Sequence, residues 1–185
     1  DKKYKFILYN LSLRLTDVFL CQNDYQQNKL KKRYTNKVID KLYNPFFIAN
    51  KKKSNKRNYV AWIGLFQHQK NLPSLVQIVE ILPEVKFKLA GKSQQIIDSE
   101  TQTAINKLKK MPNVEFMGLI PRDKIYDFLS NAFCLLNTSH IEGFSNTYLE
   151  AFSVGTKVVT RKKTDPDGII SKFDLGKSVE EYSEL

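Results

Sequence analysis

The sequence predicts an open α/β sheet of parallel strands with helices packed on both faces. Two observations carry that prediction. From residue 59 onward, short apolar runs alternate with helical segments, and each apolar run stops at a small or polar residue. Strands that are apolar throughout, rather than on alternate positions, are strands covered on both sides, and helix-by-helix crossovers are what keep them parallel. Ligands of such sheets bind outside the carboxyl ends of the strands. Gly64, Gly91, Gly118 and residues 137–140 therefore mark the binding rim before any motif is considered.

The elements follow in order. Residues 18–21 read as a strand, 24–34 as a polar helix and 38–42 as a second strand, stopped by Asn44 and Pro45. Residues 46–58 are polar and basic with no apolar period, which describes a linker or exposed loop. Residues 59–64 form a buried strand. A helix over 72–82 places Leu72, Leu75, Val76, Val79 and Leu82 on one face, with Pro73 in its first turn and Pro83 ending it. A strand over 85–90 ends at Gly91, and a polar helix over 94–110 is closed by Met111 and Pro112. The series continues with a strand over 114–117, a helix over 121–131, a strand over 133–136, a helix over 146–154 closed by Gly155, and a strand over 157–160.

Composition limits the function classes. The chain has 185 residues, enough for one sizeable core, or for one domain and part of another. The longest apolar stretch, residues 6–20, is interrupted by Asn10, Arg14 and Asp17 and is too polar to span a bilayer. No small-residue cleavage site follows it, so it does not read as a signal peptide. Cys21 and Cys134 lie in apolar strands, show no pairing rhythm and imply a reducing compartment. With His68 and His140 they form no metal-ligand spacing, so no metal is expected. The net charge of +11 is confined to residues 1–58, which hold 15 Lys and Arg against 4 acidic residues; residues 59–185 hold 15 of each. That segment suits an anionic membrane surface, or reflects a lysine-rich background composition. The run Lys51-Lys52-Lys53 lacks interleaved aromatics, which argues against nucleic acid.

The segment with the most chemistry is 142–155. Glu142, Gly143, Phe144 and Ser145 lead into a helix that starts at Asn146 and Thr147 and carries Glu150 two turns in. Unpaired N–H groups at a helix start favour an anion such as a diphosphate, and carboxylates accept hydrogen bonds from sugar hydroxyls. By itself, a pair of Glu residues eight apart is equally what a helix dipole attracts.

The segment resembles the E-x7-E motif of the retaining glycosyltransferases of family 4, which often reads E-G-F-x-N-x-x-L-E-A-x-x-x-G. The likeness extends through Trp62 to Asn71, Phe87 to Gly91, Asn113 to Gly118, and Gly155 through Asp165-Pro166-Asp167-Gly168, where it is similar to a polysaccharide-biosynthesis branch, and upstream through Leu20-Cys21-Gln22 and Tyr43-Asn44-Pro45. It implies the Rossmann-like C-terminal half of a GT-B fold over residues 59–185, ending before the family's closing helices. Residues 1–45 would be the last part of the N-terminal acceptor domain. In that resemblance Glu150 holds ribose hydroxyls, Glu142 meets the donor sugar, and the backbone of Phe144 to Thr147 lines the diphosphate. Lys70 neutralises the leaving group beside Gly64, and the Ile120 main chain meets the base. The donor is a nucleotide diphosphate sugar, no cofactor or metal is required, and the acceptor is a glycan or lipid-linked molecule. The location implied is cytoplasmic, at the inner face of the membrane. A chain holding only this half is expected to bind donor weakly and not to turn over without the rest of the N-terminal domain.

The family's usual Arg after the first glycine is Leu65 here, with Arg161 or Lys163 as substitutes. His140 and His68 read as loop residues rather than catalytic bases. Two other readings are a non-hydrolysing nucleotide-sugar epimerase of the same fold, against which the E-x7-E segment argues, and a basic interaction module for membrane or nucleic acid.

Overall fold

The computed structural model describes residues 2–46 and 56–184, and most of the expected basic linker lies outside them. The chain forms two compact units, Asp1–Asn44 and Pro45–Leu185.

The first unit holds α1 (Lys2–Leu15), β1 (Val18–Cys21), α2 (Asp24–Arg33) and β2 (Val38–Lys41). β1 and β2 pair in parallel, Val18 opposite Val38. Asn23 caps α2 by accepting from the Gln26 N–H at 2.8 Å. Phe19, Cys21 and Ile39 form a small core against Leu13, Leu30 and Tyr34. The helix α1 is absent from the sequence expectations. Its apolar residues surround the axis instead of forming one stripe, and Phe6, Ile7, Leu8, Tyr9 and Leu11 remain exposed. Among the described residues, no helix is long and apolar enough to cross a membrane.

The second unit is the predicted sheet. It contains β3 (Tyr59–Ile63), α3 (Leu72–Ile81), β4 (Phe87–Ala90), α4 (Ser99–Leu108), β5 (Val114–Gly118), α5 (Ile125–Ser130), β6 (Ala132–Leu136), α6 (Asn146–Ser153), β7 (Lys157–Arg161), α7 (Ile169–Lys172) and β8 (Gly176–Val179). The six strands lie in the order β5-β4-β3-β6-β7-β8, and every pairing is parallel. Numbered within the unit, that is 3-2-1-4-5-6. Its direction reverses between β3 and β6, which is where such sheets open a crevice for ligand.

Successive residues of a strand point to opposite faces, and the two cores follow that alternation. Trp62, Leu89 and Leu136 face α3 and α4, packing on Leu72, Leu75, Val79, Ile105 and Leu108. Ala61, Ala90, Leu135 and Val158 face the other side, against Phe128, Leu129, Tyr148, Ala151 and Ile170.

Differences from the sequence expectations are local. The helix expected over 94–110 starts at Ser99, because Asp98 accepts from the Thr101 N–H at 2.8 Å and its Oγ1 at 2.7 Å, fixing the cap there. The segment expected as a helix over 121–131 opens with a 3₁₀ turn, Arg122–Lys124, before α5. β8 and α7 were not anticipated. The Asp165 carboxylate organises both, taking the N–H groups of Ile170 (2.9 Å) and Ser171 (3.3 Å) and the hydroxyl of Ser178 on β8 (2.6 Å).

Both cysteines are free thiols. Burial raises the Cys134 thiol to about 11 from an ordinary value of 9.0. At pH 8 the native thiolate fraction is then about one in a thousand, so a chromogenic disulfide reagent should label Cys134 far faster in urea than in the native protein. The linkage has a definite sign. The unfolded chain ionises first, so this contribution to stability is intact below pH 9.0 and is lost as the pH rises from 9.0 toward 11. Rapid native labelling at pH 8 would refute the assignment.

Candidate functional site

The crossover between β3 and β6 brings two distant loops together. After β3, the chain makes a 3₁₀ turn, His68–Lys70, and enters α3 through Asn71, whose φ of 49° and side-chain bond to the Ser74 N–H (3.3 Å) cap the helix. After β6 comes the polar run Asn137, Thr138 and Ser139, all buried. The loops are laced by the His140 N–H donating to the Gln69 carbonyl (2.8 Å) and the Gln69 side-chain amide donating to the Ile141 carbonyl (3.0 Å). Thr138 Oγ1 donates to the Lys70 carbonyl (2.7 Å) while accepting from Trp62 Nε1 (3.0 Å).

On this frame Lys70 Nζ meets Glu142 Oε1 at 2.5 Å, with side-chain exposures of 17% and 10%. The same oxygen accepts from Ser139 Oγ at 2.7 Å and from Asn137 Nδ2 at 3.4 Å. Asn137 is itself fixed: its N–H donates to the Val159 carbonyl (2.9 Å), and its carbonyl accepts from Tyr182 Oη (2.5 Å). Gly64 makes room for the Lys70 stem, since a Cβ there would stand 3.3 Å from Lys70 Cδ and Cε. Lys70, Glu142 and Gly64 are therefore one constellation.

Gly143, Phe144 and Ser145 continue from Glu142 into α6, and Ser145 Oγ and Thr147 Oγ1 share a 2.8 Å hydrogen bond instead of capping the helix. Tyr148 anchors α6 from below through hydroxyl contacts to Thr160 Oγ1 (3.1 Å) and the Thr164 carbonyl (3.3 Å). Glu150 is half-buried on α6, and no described group hydrogen-bonds its carboxylate. Burial raises its pKa, and the Arg122 guanidinium pulls it partly back. Ile120, in the loop after β5, packs against the same core cluster as Tyr148 and Ala151 of α6. Ile120 itself packs against the core with Met117 and Ile125, leaving main-chain groups as its polar contribution.

Leu65 is exposed beside residues 92–96. Of the two cations considered as substitutes for an Arg at that position, Arg161 is held by Glu181 Oε1 (2.6 Å) and the Glu180 carbonyl (3.1 Å). Lys163 is exposed and has no partner among the described residues. Sequence reasoning missed the bracing of Glu142. Three consecutive polar residues at the end of an apolar strand were the available signal for Asn137 and Ser139; Tyr182 had none.

The strand order and a lysine–carboxylate pair at the crossover define the class: a doubly wound α/β domain of the kind found in GT-B glycosyltransferases. A model of the family described as Glycosyl transferases group 1 matches residues 44–184, and the chain belongs to that family. It is 29% identical over 157 residues to an uncharacterised glycosyltransferase, MJ1059, of Methanocaldococcus jannaschii, covering 82% of this chain and 36% of that protein. It superposes on a mutant of TarM from S. aureus, solved with fondaparinux, α-GlcNAc-glycerol and UDP. The TM-score is 0.73 at 17% identity, over 98% of this chain and 37% of the other. It is also similar to the pneumococcal O-GlcNAc transferase GtfA, solved with UDP and GlcNAc, with a TM-score of 0.60 at 19% identity over 88% of this chain and 33% of that one. The chain thus spans little more than a third of the length of these relatives.

Proposed function

We propose that this chain is the donor-binding part of a retaining glycosyltransferase that takes a nucleotide diphosphate sugar. The observation that carries the reading is the Lys70–Glu142 pair, braced at the crossover of the sheet where ligands of this architecture bind. Lys70 neutralises the diphosphate as the bond from its oxygen to the anomeric carbon breaks; the acceptor oxygen bonds that carbon on the same face, and its proton passes to the departing diphosphate oxygen. Most of the rate enhancement then comes from stabilising leaving-group charge in a preorganised site. Glu142, already oriented by Ser139 and Asn137, accepts from donor-sugar hydroxyls. The start of α6, Phe144 to Thr147, offers N–H groups to the diphosphate. Glu150 accepts from ribose hydroxyls; a half-buried carboxylate with no hydrogen bond among the described residues is suited to that. The Ile120 main chain contacts the base, and of Arg161 and Lys163 only Lys163 is without a partner among the described residues and so available to replace the Arg absent at Leu65. UDP in the TarM and GtfA structures supports a uridine donor.

The first unit is read as the closing part of an acceptor-side domain. Support comes from its two-stranded sheet, on which Val18, Leu20 and Val38 are exposed, as in strands that belong to a larger sheet.

The test is a thermal-shift panel of UDP-, GDP- and ADP-sugars on the native chain and on Glu150→Ala. One donor class is expected to raise the melting temperature of the native chain. Glu150→Ala is expected to melt within about 2 °C of native without donor, because its carboxylate makes no hydrogen bond among the described residues, and to lose the donor-induced rise. Absence of a shift with every donor would sink the proposal.

A further inference from the structure

We propose that His68, His140, Asp98 and Glu100 form a binding site for a divalent transition-metal cation of the zinc type, on the rim beside the Lys70–Glu142 pair. The four residues come from three stretches of chain: His68 from the turn after β3, Asp98 and Glu100 from the N-cap and first turn of α4, and His140 from the loop after β6. One ligating atom each from His68, Asp98 and Glu100 lies within 4.8 Å of the others. The His140 ring stands 5.0 Å from that of His68, centroid to centroid, at 37°.

The donor set fits the ion. Zinc takes imidazole nitrogen and carboxylate oxygen at about 2.0–2.2 Å in a four-coordinate shell. Two neutral imidazoles and two carboxylates would balance its charge. His68, His140 and Glu100 are exposed, so their side chains can rotate to close the remaining gap. Asp98 is oriented by the Thr101 N–H and hydroxyl, each of which uses one lone pair of a carboxylate oxygen and leaves another. Lys163 and Arg161 oppose the cation from β7 and the turn after it. A bound ion would tie together the loops carrying Lys70 and Glu142, each two residues beyond one of the histidines. The metal site itself does not depend on the donor-site reading.

The experiment is calorimetric titration of Zn²⁺ into the metal-free full chain, paired with thermal melts. One equivalent should bind, with a melting-temperature rise of about 5 °C at a hundredfold excess over Kd, reversed by chelator. His68→Ala, His140→Ala and Glu100→Gln should each weaken binding by about tenfold or more, as loss of a ligand requires. The exposed positions of these residues make unfolding of the variants improbable as a cause, and circular dichroism of each variant checks it. No binding by the native chain overturns the proposal. So does Zn²⁺ affinity that survives the His68→Ala/His140→Ala double variant within about threefold, which would place the ion elsewhere, for example on the thiols.

Discussion

Lys70→Ala is expected to lower kcat for sugar transfer by about 100- to 1,000-fold in a form of the enzyme that turns over, the magnitude typical of removing one preorganised group that meets transition-state charge. The reason is positional. The Lys70 ammonium is fixed by the Glu142 carboxylate at 2.5 Å, and that carboxylate is held by Ser139 and Asn137. On the proposed donor-site reading, the ammonium would meet the leaving group from this fixed position, so the loss would belong in kcat more than in KM. Lys70→Arg should not restore it. The aliphatic stem crosses Gly64 at the distance of a missing Cβ, and a planar guanidinium does not reproduce a point charge there. Stability should fall by only about 1–2 kcal/mol, since the pair keeps some solvent access and Glu142 retains two neutral donors. Unchanged kcat in Lys70→Ala would remove Lys70 from the mechanism.

Gly91→Ala should destabilise the second unit by about 4 kcal/mol or more, lowering the melting temperature by about 10 °C. A Cβ at residue 91 would lie 1.8 Å from the Gly64 carbonyl oxygen and 2.9 Å from its carbon. The backbone φ of 151° is one that residues with a side chain rarely adopt. Neither chain can withdraw easily. The Gly64 N–H donates to the Ala90 carbonyl at 3.0 Å, and the Gly91 N–H donates to the Gly118 carbonyl at 2.8 Å. Any relief that did occur would displace Gly64 and the Lys70 stem above it. Gly118→Ala is the matched control. A Cβ there meets nothing within 4 Å, and only the φ of 67° opposes it, an effect of about 1–2 kcal/mol. Equal melting temperatures for the two variants would show that the close approach at Gly91 is unimportant.

The contrast between Gly91 and Gly118 shows what the sequence could reveal. Both end an apolar run, and local pattern treats them alike. Their difference depends on which backbone runs alongside, and for Gly91 that is a residue 27 positions away. The site divides in the same way. Glu142 and Glu150 stand out because a carboxylate loop leads into a helix start. The Ser139, Asn137 and Tyr182 contacts that orient Glu142 were not legible, because Tyr182 joins Asn137 across 45 residues through strands and turns with weak local signals. Helix α1 escaped for the opposite reason, its apolar residues having no preferred side.

By itself the sequence determined the parallel α/β class, nearly all the strands and helices of the second unit, and the rim at which a ligand would bind. These are properties of short windows: periodicity, capping residues, and glycine or proline stops. Only the tertiary structure decided that β3 lies beside β6, which sets Lys70 against Glu142 across 72 residues and gathers His68, His140, Asp98 and Glu100 from three separate stretches of chain. Strand order is chosen by how two helical layers cover both faces of one sheet. That choice is made by the packing of the whole domain, and no local segment encodes it.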